Sequence, residues 1–169
     1  GLQEFLATLS PVPCDGVVGA AVMNCNPFTK GHRYLIETAA KECDRLYIFV
    51  LSEDKSFFST KDRMEMVKFG TADLDNVTVL PTGPYLISSA TFPTYFLKDR
   101  ENAEQVHCLL DIEVFCNHYA PKFGITRRYV GTEPLSPVTD AYNRALFSAL
   151  QNGVAYSFGS GRLRSPLSY

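Results

Sequence analysis

One run of residues restricts the architecture more than any other. Gly16–Met23 (GVVGAAVM) is continuously small and apolar, and it stops at the turn-forming Asn24-Cys25-Asn26-Pro27. A strand that is apolar on both faces needs cover on both, the situation of a parallel sheet between two layers of helices. The rest of the chain repeats the theme. After Gly31, Tyr34, Leu35, Thr38 and Ala39 recur at helical spacing, and Leu46–Leu51 is a second short apolar run. Ser59 or Thr60 caps a helix to about Phe69, with Asp62 in its first turn and Gly70 at its end. Asn76–Leu80 reads as a third strand closed by Pro81, and residues 84–100 as a short strand and then a helix. Glu101–Tyr119 reads as a long amphipathic helix with Val106, Leu109, Leu110, Ile112 and Phe115 on its apolar side, stopped by Pro121 and Gly124. Arg127–Gly131 is a further strand and Thr139–Gln151 a further helix. This alternation predicts an α/β fold, a doubly wound, Rossmann-like parallel sheet in three αβα layers. One domain covers residues 1–151. From Asn152 on, Gly and Ser dominate, so residues 152–169 read as a loosely ordered tail.

Composition removes several classes of function. Sixteen basic against 18 acidic residues leave no basic field for nucleic acid or a membrane surface. The longest apolar run, Val17–Met23, is far shorter than the roughly 20 residues a bilayer demands. The N-terminal GLQEFLATLS has an acid at Glu4 and no leader pattern. The five cysteines, odd in number and never in a C-x-x-C pair, read as reduced thiols, which points to the cytoplasm. On a helix, His107 and Asp111 share a face near Glu113 and His118; a solvated polar face is the better reading than a metal site, and no metal ligands are assigned.

In a doubly wound sheet, ligands sit beyond the carboxyl ends of the strands, where a loop feeds a helix. The loop Asn24–His32 holds neither G-x-G-x-x-G nor G-x-x-x-x-G-K-[ST]. It does offer Gly31, free N–H groups opening a helix, and His32 in the first turn, which together favour an anion such as phosphate. Taken alone, Gly31-His32 also fits a plain strand-to-helix turn. Cys25 lies in the same loop, but no His–Cys spacing supports a nucleophile there.

The loop as a whole, Asn-Pro-Phe-Thr-Lys-Gly-His, resembles the [HT]-x-G-H signature of the nucleotidyltransferase superfamily, with Thr29 and His32 in its two key places. Four stretches, 22–37, 50–68, 90–98 and 130–143, narrow this to the nucleotidyltransferase part of the [citrate (pro-3S)-lyase] ligase family. That resemblance implies ATP and acetate as substrates, with Mg²⁺ accompanying the nucleotide. The acetyl group would pass through acetyl adenylate to the prosthetic-group thiol of the citrate lyase acyl carrier subunit, releasing AMP and pyrophosphate. It further implies that His32 and Lys55 act in catalysis. The nucleotide would meet Met23, Asn24, Asn26, Pro27, Phe28, Thr29, Lys30, Gly31 and His32, then Arg63, then Gly131, Thr132, Glu133 and Asp140. For Lys55 a solvated place beside Asp54 competes with phosphate contact, and for Arg63 a pairing with Asp62 or Glu65 does. For the 131–140 loop, Pro134 and Pro137 supply a purely geometric reading.

Two family features are absent from these residues. An acetyltransferase-like domain normally precedes this part, and a second signature, I-S-x-[ST]-x-x-[RK], normally opens the last helix. Ile87-Ser88-Ser89-Ala90-Thr91 resembles it in the wrong place, and the tail offers only Gly161-Arg162-Leu163-Arg164-Ser165. The expectation is a truncated chain that binds ATP weakly. Two alternatives remain open: another adenylyl- or cytidylyltransferase, of the phosphopantetheine type, or a non-catalytic nucleotide-binding remnant.

Overall fold

A computed structural model describes residues 1–52, 56–86, 110–131 and 155–159. Five strands, β1 (Val18–Met23), β2 (Arg45–Val50), β3 (Val77–Pro81), β4 (Arg127–Gly131) and β5 (Ala155–Gly159), form one sheet in the order β3-β2-β1-β4-β5. Every neighbouring pair is parallel. The expected doubly wound α/β sheet is therefore what the chain builds. The order grows outward from β1 in one direction and then restarts on its other side, so β1 and β4 flank the switch point where such sheets bind ligands.

The ladders are uneven. β1 pairs with β2 at six positions, from Val18↔Arg45 to Met23↔Val50. With β4 it pairs at two, Gly19↔Arg127 and Ala20↔Arg128, although both strands continue toward the carboxyl rim.

Two clusters cover the two faces. On one, α2 (Lys30–Glu42) and α3 (Thr60–Gly70) place Ile36, Ala39 and Val67 over Ala21, Leu46, Ile48 and Val50. On the other, Phe49, Tyr47 and Val130 meet Phe115, Tyr119 and Phe123. These last three come from α4, which is α-helical over 110–114, π-helical over Phe115–Tyr119 and α-helical again over Ala120–Phe123. Each face thus buries the alternate side chains of the same strands, which is why the strand sequences read as apolar throughout.

Several sequence expectations need correction. The helix expected to stop at Tyr119 passes through Pro121 to Phe123 and ends at Gly124, whose φ of 67° is left-handed. The π turn explains it. Ala120 N–H bonds back to the Phe115 carbonyl, five residues earlier, and this wider turn moves the carbonyls that a proline ring would strike in an α-helix. Leu110, placed on the apolar side, is largely exposed, whereas Asp111, placed on a solvated face, is buried. The first residues also form a short helix, α1 (Leu2–Ala7), which buries Leu6 and is followed by buried Leu9. Its signal was present as the spacing of Leu2, Phe5, Leu6 and Leu9. The stretch read as a loose tail contributes β5, in register with β4 from Arg127↔Ala155 to Gly131↔Gly159. Tyr156 and Phe158 have strand propensity that the surrounding Gly and Ser obscured. The helix expected over Thr139–Gln151, the element expected from 87 to 100, the segment Ile87–Thr91 and residues 161–165 lie outside the described residues.

Candidate active site

β1 ends at Met23, whose carbonyl accepts the Leu51 N–H at 2.9 Å, so the loops after β1 and β2 leave the sheet side by side. Beneath them lies Arg63, fully buried. Its Nη1 donates to the Asn24 carbonyl at 2.9 Å, to Asn24 Oδ1 at 2.9 Å and to the Leu51 carbonyl at 2.7 Å. Nε donates to the Phe58 carbonyl at 3.0 Å and Nη2 to Thr60 Oγ1 at 3.1 Å. The Ser56 hydroxyl donates to Asn24 Oδ1 and the Phe58 N–H to Asn26 Oδ1. Its N–H groups bind the carbonyls that end the β1 and β2 segments, and the guanidinium is fully buried. Among the described residues no ion pair joins it to Asp62 or Glu65. The side-chain oxygens of Asn24 and Asn26 likewise hold the loop together.

Within the loop, Cys25 adopts a left-handed φ of 53° and the Asn26–Pro27 peptide is cis. Cys25 is buried, and that burial pushes its thiol up to about 12 although Arg63 pulls the other way. It is a protonated packing residue at neutral pH, as the spacing argument expected.

The chain then turns into α2, which begins at Lys30, one residue before Gly31, the earlier of the two expected starts. Thr29 is the N-cap, and its contact with His32 is reciprocal. The Thr29 N–H donates to His32 Nδ1 at 3.0 Å, and Thr29 Oγ1 lies 2.9 Å from the same nitrogen. A backbone N–H can only donate, so Nδ1 accepts and the neutral ring carries its proton on Nε2. The Phe28 ring stacks on the imidazole with centroids 5.9 Å apart and planes 18° from parallel. The next residue, Arg33, grips Asp73 through two bonds of 2.6 and 2.8 Å and donates to the Gly70 carbonyl at 2.9 Å. This pairing holds the Asp73 carboxyl below its ordinary range.

Among the described residues, the N–H groups of Lys30 and Gly31 make no hydrogen bond, and both residues are exposed. A Cβ on Gly31 would meet nothing nearer than Thr29 Oγ1 at 3.6 Å. Glycine is therefore not required there by the fold; what it supplies is open space in front of two unpaired donors at the positive end of a helix of 13 residues. The structure thus brings Thr29, Lys30, Gly31 and His32 together at the carboxyl end of β1, with Gly131 ending β4 on the same rim. Lys55, Thr132, Glu133 and Asp140 lie outside the described residues. Among those described, no group of three or more His, Cys, Asp or Glu side chains could hold a metal ion, and no helix is long and apolar enough to cross a membrane. Ser52 and Thr82, which the sequence did not single out, bond to each other's loops across the ends of β2 and β3.

Comparison with known proteins follows the same lines. Residues 18–156 match the family described as citrate lyase ligase C-terminal domain. A [citrate [pro-3S]-lyase] ligase from Haemophilus influenzae is 49% identical over 146 residues, covering 86% of this chain and 44% of that protein. The chain spans about two fifths of the length of the curated citrate lyase ligases it matches. A phosphopantetheine adenylyltransferase from Clostridium botulinum is 45% identical over 56 residues, 32% of this chain and 34% of that one. Among solved structures, a pantoate-beta-alanine ligase from Francisella tularensis superposes with a TM-score of 0.53 at 12% identity, over 99% of this chain and 69% of that chain. That likeness concerns the fold.

Proposed function

The chain belongs to the citrate lyase ligase C-terminal domain family, and on that premise we propose that it adenylates acetate and passes the acetyl group to the prosthetic-group thiol of the citrate lyase acyl carrier subunit. In the first step an acetate oxygen forms a bond to the α-phosphorus of ATP as the bond to pyrophosphate breaks. In the second the thiol sulfur takes the acetyl carbon, a proton is released and AMP leaves. Acetate is already ionised at neutral pH, so the first step asks for alignment and charge stabilisation and needs no general base.

One observation carries the reading: the turn Thr29–His32 at the carboxyl end of β1 offers two unpaired N–H groups beside an imidazole oriented by its own N-cap. Those N–H groups and the Nε2 proton would face the phosphates, where negative charge grows as pyrophosphate departs. Lys30 and Lys55 would add positive charge, and Mg²⁺ would arrive bound to the phosphates of ATP. Gly131, Thr132, Glu133 and Asp140 would border the nucleotide from the β4 side. Met23, Asn24, Asn26, Pro27 and Phe28 would shape the loop around it. The reaction would run in the cytoplasm, in keeping with free cysteines at positions 14, 25, 43 and 116.

The test is release of pyrophosphate from ATP and Mg²⁺ with acetate, followed by transfer of labelled acetate to citrate lyase. A second reading, adenylyl transfer to phosphopantetheine, draws on the 56-residue likeness to the Clostridium botulinum enzyme. Pyrophosphate release with phosphopantetheine but not with acetate would replace the first reading by the second. Nucleotide binding without release in either case would favour a non-catalytic remnant.

A further inference from the structure

We propose that Gly70, the last residue of α3, is a positioning residue for His32 and acts through the Phe28 ring. The imidazole is held at one edge by Thr29 and on one face by Phe28. Phe28 in turn lies directly on Gly70. A Cβ placed there would stand 2.3, 2.8 and 3.3 Å from three carbons of the ring, the first two closer than real side chains approach. Gly70 does not have a left-handed φ, so its backbone conformation does not call for glycine. In a helix, alanine is the favoured alternative to glycine. What excludes it at this position is the ring of Phe28. The Gly70 carbonyl also accepts from Arg33, so the residue after His32 is anchored to the same point on α3. Helix α3 thus supports the His32 turn from below, through one position without a side chain.

The inference rests on the proposed role of His32 only for its consequence in turnover; its primary test does not use turnover. The whole chain, labelled with ¹⁵N in its three histidines, is examined by ring ¹⁵N–¹H correlation at pH 8, and His32 is identified by the signal lost in His32→Gln. The wild type should show His32 protonated at Nε2 alone. In Gly70→Ala the His32 signals should move toward a mixture of the two tautomers, while those of His118, which faces Gln3 at 3.1 Å, stay in place. Phe28→Ala should release the ring in the same way. Stability gives an independent reading. Gly70→Ala alone should lower the urea midpoint, but added to Phe28→Ala it should leave the midpoint unchanged or raise it, because the obstruction has gone.

Wild-type His32 signals in folded Gly70→Ala, or in Phe28→Ala, would overturn the proposal. An equal loss of stability from Gly70→Ala with and without the Phe28 ring would do the same. Should Gly70→Ala fail to fold, Phe28→Ala and the double variant decide. If the acetate-dependent reaction is confirmed, Gly70→Ala should lower kcat about tenfold with little change in KM for ATP. An unchanged kcat with the tautomer shift intact would count against the role proposed for His32 in the chemistry, not against the positioning role.

Discussion

Arg63 and Asn24 meet twice, because one guanidinium nitrogen lies 2.9 Å from the Asn24 carbonyl oxygen and 2.9 Å from its Oδ1. The same nitrogen reaches the Leu51 carbonyl at 2.7 Å. One buried cation thereby joins the loops that follow β1 and β2. Replacing it with Ala leaves the carbonyls of Asn24, Leu51 and Phe58 without their donor. At about 1–3 kcal/mol for each buried polar group left unpaired, Arg63→Ala should lose at least ~3 kcal/mol of stability. Arg63→Lys should recover little, since one ammonium cannot span the three acceptors. Urea denaturation measures both, and a midpoint equal to the wild type for Arg63→Ala would refute the assignment.

His32→Ala should lower acetate-dependent pyrophosphate release by roughly 10², a typical loss of about 3 kcal/mol for one transition-state donor. The fold should hold, because the side chain is only half-buried and bonds within its own turn. An unaltered rate in a folded variant would remove His32 from the chemistry.

Gly31→Ala separates fold from ligand. With no atom nearer than 3.6 Å to the added carbon, the helix should gain about 0.5–1 kcal/mol in stability. The methyl group would nevertheless stand before the unpaired N–H groups, so calorimetry should show ATP binding weakened. Unchanged affinity would mean that the phosphates do not approach here.

Cys25 should resist iodoacetamide at pH 8 in the native chain and react only on unfolding, because burial pushes its thiol up to about 12. Cys25→Ala should keep most of the acetate-dependent activity. Loss of activity with the fold intact would reopen a covalent mechanism.

The Arg33–Asp73 pair has a definite pH signature. Hydrogen bonding from Arg33 lowers the Asp73 carboxyl in the folded chain. The group therefore contributes stability that is fully present above its unfolded value, about 3.9, and is lost as pH falls through the folded value. Asp73→Asn should flatten that acid limb of a stability curve measured by urea midpoint between pH 2 and 7. The same acid limb in both proteins would show that the pair adds nothing.

Much of this was legible in the residues themselves. Gly16–Met23 and Leu46–Leu51 announced buried parallel strands because both faces of each are apolar, and Ser59 announced the start of α3 through its cap, which accepts from the Asp62 N–H at 3.1 Å. The Thr29–His32 turn was found by its pattern. The bonds of Arg63 were not legible, because a lone arginine in a first helical turn looks the same whether or not it binds carbonyls; those it binds come from residues 24, 51 and 58, which meet only in the fold. Gly70 read as a helix stop, and its contact with Phe28 spans a distance that no local pattern encodes. β5 was hidden because its strand formers Tyr156 and Phe158 stand in a Gly- and Ser-rich stretch.

The uneven ladders of β1 give the sheet a mechanical character. With six pairs to β2 but two to β4, the molecule resembles two boards nailed together near one end. One board carries β3, β2 and β1 with the Thr29–His32 turn, and the other carries β4 and β5. Toward the rim where Met23 and Gly131 end, no ladder pair joins the two boards. Anything bound across that unpaired end would act on both boards at the end farthest from the nails, where leverage is greatest, and its hold would register as slower amide exchange at Val22, Met23 and Val130.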